Sequence, residues 1–163
     1  MTTLLSYAGA ASFAALLVLI GVAPMFRPAG AVAVLAHVLL YPVVAGLRAP
    51  EWARMGGYAW LSIDIVSSVM AMNGVDAGTI TAVRLGGHIP AALWIVAASL
   101  EARGPMRVVG VPLGALLFGY SLVAPWVPPV ALLPAIILIV VWLALVGRVV
   151  GRSQAAIPPS VHA

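Results

Sequence analysis

A chain of 163 residues that is 64% hydrophobic and 7% charged, with a mean hydropathy of +1.16, lies far from the roughly 25% charged content of soluble domains. Its net charge of +4 comes from eight arginines against four acidic residues, and in so apolar a chain this charge reports topology rather than a face for nucleic acid. The absence of cysteine excludes disulfides, thiol relays, iron–sulfur ligation and a cysteine nucleophile, and the absence of lysine excludes a retinal or pyridoxal Schiff base.

These features predict an all-α integral membrane protein. Residues 1–152 form one domain, a bundle of six transmembrane helices of about 20 residues each, and residues 153–163, with Pro158 and Pro159, form a disordered cytoplasmic tail. The first span, Leu4–Phe26, has no basic segment before it and is too long for a signal peptide, so it reads as a retained helix. Its Ala10/Ala14 and Ala11/Ala15 pairs suit close helix packing or a homo-oligomer contact. The second span, Gly30–Leu47, places His37 one turn from Tyr41.

The third, Gly56–Asn73, carries Trp60, Asp64, Ser67 and Ser68 on a common face. A carboxylate at that depth is costly, so Asp64 is paired, protonated or working on something. The fourth, Thr79–Leu100, carries Thr81, Arg84 and His88 as one stripe, and includes Gly86-Gly87-His88-Ile89-Pro90. Pro90 cannot donate to the Gly86 carbonyl, and a freed carbonyl in lipid predicts a cavity beside His88. The fifth and sixth spans, Val108–Ala124 and Pro128–Val146, offer little beyond Tyr120, Ser121 and Trp142 and read as scaffold.

The arginines give an independent count. With six spans, Arg48, Arg54, Arg103, Arg107, Arg148 and Arg152 fall on one side and only Arg27 and Arg84 elsewhere, which by the positive-inside rule places both termini in the cytoplasm of a multi-pass cell-membrane protein. His37 and His88 then lie roughly 10–14 Å below the outer boundary, and Asp64 roughly 13 Å, at 1.5 Å per helical residue. Three ionisable side chains share one layer on adjacent helices.

That layer predicts an intramembrane acid–base pocket. Asp64 with His88 or His37 supplies acid and base, with His88 the favoured partner, and Arg84, Tyr41, Trp60, Ser68 and Trp94 line the substrate site. Isomerisation, cyclisation or epoxide opening of a lipophilic, isoprenoid-like molecule drawn from the membrane lipid needs no metal, no cofactor and no nucleic acid. A second reading is a small-molecule-binding or transport subunit in which Arg84 captures an anion. A third is axial ligation of a haem by His37 and His88, although a two-haem relay takes four histidines. Plain structural readings stand beside these: an Asp64–Arg84 ion pair, a packing role for Gly86 and Gly87, interfacial anchoring by Tyr7, Tyr58, Trp52 and Trp126, and solvated loop pairs for Glu51 and Glu101.

Overall fold

A computed structural model describes residues 28–155, together with Leu4, Tyr7, Ala8, Ala11, Ser12, Ala14 and Ala15. The described residues are helical with no strand: α1 (Pro28–Gly46), α2 (Glu51–Met72), α3 (Ala77–Glu101), α4 (Pro105–Val123) and α5 (Leu133–Ala155). All five are long and apolar enough to cross a membrane. They correspond to the second through sixth expected spans; most of the first, Leu4–Phe26, lies outside the described residues, as does the expected tail beyond Ala155. Residues 153–155 continue α5.

Local chemistry sets the helix ends. α2 closes at Asn73, and Gly74 turns the chain with φ of 76°. Asp76 caps α3, accepting hydrogen bonds from the Thr79 backbone N–H at 2.8 Å and the Thr79 hydroxyl at 2.6 Å. α4 starts with proline at its first position after Gly104, where φ is 68°. The last expected span starts late. Pro128 and Pro129 divert the chain into a short 3₁₀ turn, Pro129–Leu132, so α5 opens at Leu133 rather than Pro128. Pro90, by contrast, sits inside a continuous α3.

Consecutive helices pack on one another and run antiparallel. Gly30 at the start of α1 faces Met72 at the end of α2, while Val44 near the end of α1 meets Gly57 near the start of α2. Gly56 abuts the Pro90 carbonyl, where an added Cβ would come within 2.9 Å of the oxygen, so glycine is what lets α2 and α3 approach. The core is assembled from Leu40, Val43 and Val44 of α1, Trp60 and Leu61 of α2, Trp94 and Ile95 of α3, Leu113 of α4, and Trp142 and Leu143 of α5. Leu35, Val38, Val66, Leu93, Val108, Leu122 and Ile137 point outward. An apolar rim around an apolar core is what a hydrocarbon surround selects.

Candidate functional site

The site is built around Asp64, which is only 7% exposed at the middle of α2. One carboxylate oxygen, Oδ2, is held from two directions. Trp60, one turn earlier on the same helix, donates its indole N–H to it at 2.5 Å. From α1, His37 brings Nε2 to 3.1 Å of the same oxygen, at ion-pair distance but without the alignment of a straight hydrogen bond. The His37 ring also meets Trp60 edge-on, with centroids 5.8 Å apart.

The other nitrogen of His37 decides the chemistry. Nδ1 lies 2.7 Å from the Ala33 carbonyl oxygen, which can only accept, so Nδ1 carries a proton. A neutral ring of that tautomer would point a bare Nε2 lone pair at Asp64 Oδ2, an unfavourable contact at 3.1 Å inside a low-dielectric layer. The contact is favourable only if one proton resides in it, as imidazolium against carboxylate or as carboxylic acid against imidazole. His37 and Asp64 thus form a buried pair at ion-pair distance. With both ring nitrogens so directed, His37 has none to offer a haem iron in this arrangement.

The second oxygen, Oδ1, is buried and accepts no hydrogen bond among the described residues. α3 approaches it through Gly87, where an added Cβ would stand 3.9 Å away, and Arg84 brings Nε to 3.9 Å. The Arg84 side chain is 43% exposed and donates to the Ser68 hydroxyl at 3.4 Å. Ser68 in turn donates to the Asp64 backbone carbonyl at 2.8 Å. His88 makes no hydrogen bond to Asp64, yet it feels the charges of both Asp64 and Arg84, and its Nδ1 is buried without a hydrogen-bond partner among the described residues. His37, rather than the favoured His88, is the histidine against the carboxylate. Gly86, expected to admit close approach, has nothing among the described residues within 4 Å of an added Cβ.

Two residues expected to line the pocket sit elsewhere. Tyr41 bonds the Ser62 hydroxyl at 2.7 Å and stacks on Tyr58. Trp94 is fully buried between Trp60 and Trp142, its centroid 5.8 and 5.2 Å from theirs. This row ends at Ser99, whose hydroxyl accepts from the Trp142 indole at 2.9 Å, a contact that sequence reasoning missed because it joins residues 43 positions apart. Among the described residues no three of His, Asp and Glu gather as metal ligands. No protein-family model, no curated protein and no solved structure matches the chain.

Proposed function

We propose that this chain is a six-span protein of the cell membrane, with both termini cytoplasmic, in which Asp64 and His37 form an acid–base pair acting on a lipophilic, isoprenoid-like small molecule by isomerase- or cyclase-type chemistry. The observation that carries this reading is the asymmetry of the carboxylate. Oδ2 is anchored by Trp60 and His37, whereas buried Oδ1 has no hydrogen-bond donor among the described residues. A purely structural ion pair would saturate both oxygens, because an unpaired buried acceptor is costly. Here the Arg84 Nε lies 3.9 Å from Oδ1, within ion-pair reach but beyond hydrogen-bond distance.

In such a site the shared proton is delivered to a substrate double bond, and the resulting base takes a proton from a neighbouring carbon. Both steps leave the pair as it began. Trp60 fixes the direction of the carboxyl, Arg84 and Ser68 bound the approach to Oδ1, and His88 offers a second protonatable ring on the same side.

The partial exposure of Arg84 favours one second reading, capture of a small anion by a binding subunit. Mass spectrometry of isoprenoid lipids from membranes bearing the wild-type chain or its variants separates the two. Acid–base turnover predicts a product that falls roughly 100-fold or more in Asp64→Asn and is likewise depleted in His37→Gln. Anion capture predicts that Arg84→Gln dominates and Asp64→Asn is nearly silent. An unchanged lipid profile in both Asp64→Asn and His37→Gln, with the proteins folded, refutes the catalytic reading.

A further inference from the structure

Two open cavities meet at the end of the bundle opposite the Asp64 layer. One, of about 540 Å³, lies under the α1–α2 connection and is lined by residues 45–50, which include Arg48, together with Arg54 and Glu101. The other is a groove of about 500 Å³ between α3 and α4. Pro50 and Glu101 line both, so the two adjoin.

The groove is apolar along its length. Gly114 sets its floor, packing on Val96 and lying so close to the Ala92 carbonyl that an added Cβ would stand 3.0 Å from the oxygen. Leu93, Leu100 and Phe118, each more than a third exposed, stand along it. Trp52, 62% exposed, lines the groove together with Pro50, and an amphipathic indole of this kind suits the headgroup level of a bilayer. The polar cavity sets two guanidinium groups against one carboxylate, an excess of positive charge.

We infer that the adjoining cavities bind one anionic phospholipid, its phosphate on Arg48 and Arg54 and one acyl chain in the α3–α4 groove. The charge excess selects an anionic headgroup over a zwitterionic one, since basic pockets between membrane helices take such headgroups. The groove volume falls within the roughly 300–1,000 Å³ of small-molecule sites. The site shares no residue with the Asp64 cluster, so it stands or falls separately from the catalytic proposal.

Native mass spectrometry of the purified full-length protein, with added palmitoyl-oleoyl phosphatidylglycerol or palmitoyl-oleoyl phosphatidylcholine, tests it. The expected result is one retained phosphatidylglycerol per chain, held in preference to phosphatidylcholine. Arg48→Gln and Arg54→Gln, both outside the hydrophobic core, should each reduce that preference roughly fivefold, as expected for one arginine at an anionic surface. Ala115→Trp, which fills the groove from an exposed position, should reduce retention of both lipids. Equal retention of the two lipids by the wild-type chain overturns the site. So does an Arg148→Gln effect as large as that of Arg54→Gln, which would mean bulk charge attraction, and so does a dimer that disappears in Ala115→Trp, which would put a second copy in the groove.

Discussion

Removing one member of a buried charged pair leaves the other uncompensated in a medium that solvates it poorly, so the pairing of Asp64 is measurable as coupling. His37 meets Asp64 at 3.1 Å with both side chains buried, whereas Arg84 stops at 3.9 Å and is 43% exposed. Thermal unfolding in a double-mutant cycle should therefore give a larger coupling for His37→Ala with Asp64→Ala than for Arg84→Ala with Asp64→Ala. The reverse order would make Arg84 the true partner. Trp60→Phe keeps the ring but removes the donor to Oδ2, and should cost about 1.5–3 kcal/mol, the range for hydrogen bonds to charged groups. At this scale part of the site was legible. The one-turn spacing of Trp60 and Asp64 shows in the sequence, as does the common depth of His37 and His88. Which histidine turns toward the carboxylate depends on the rotation of each helix about its axis, and a helix apolar on every face carries little periodicity to reveal it.

The contacts between helices are made at glycines, and not all glycines are alike. At Gly56 an added methyl would press on the Pro90 carbonyl oxygen, a backbone atom that cannot swing aside, whereas at Gly86 it would meet nothing among the described residues within 4 Å. Gly56→Ala should lower stability by about 1–3 kcal/mol, as overpacking does, while Gly86→Ala should be neutral or mildly stabilising through helix propensity. Equal effects in thermal unfolding would contradict this packing. The sequence marked Gly86 and Gly87 by their proximity to Pro90 but held no sign of Gly56, because a close approach is made by two helices and only one is visible in a local window.

The α3 cap carries its own pH signature. Hydrogen bonds from the Thr79 hydroxyl, and next from its backbone N–H, hold the Asp76 carboxyl below the usual carboxylate range. A lowered folded value means the cap stabilises above the ordinary carboxylate pKa and is lost as pH falls through the lowered one. Unfolding measured at about pH 6 and about pH 2 should show a larger acid loss in the wild-type chain than in Asp76→Ala.

For the whole molecule, the presence of helices long and apolar enough to cross a membrane follows from hydropathy and breakers, which act along the chain and need no tertiary information. Five of the expected spans have counterparts in α1 to α5, with boundaries shifted where prolines and caps intervene. The antiparallel succession of these helices puts the 47–50 and 102–104 connections at one end and 73–76 at the other. With cytoplasmic termini, Val75→Cys should react with an impermeant thiol reagent from outside and Arg103→Cys only from inside, with no native thiol to interfere. Labelling of Val75→Cys from the cytoplasm alone would overturn the orientation.

Proton transfer by His37 and Asp64 is the central proposal, and deuterium tests it directly. A proton added by this pair to a substrate carbon comes from a group equilibrated with solvent. In proteoliposomes made in D₂O with the host's isoprenoid lipids, the wild-type chain should place deuterium at carbon in a lipid product, detectable by mass spectrometry. Asp64→Asn, which keeps the side-chain volume but cannot exchange a proton, should place essentially none. Equal deuterium incorporation with the wild-type chain and with folded Asp64→Asn, or none with either, would contradict an acid–base site at Asp64.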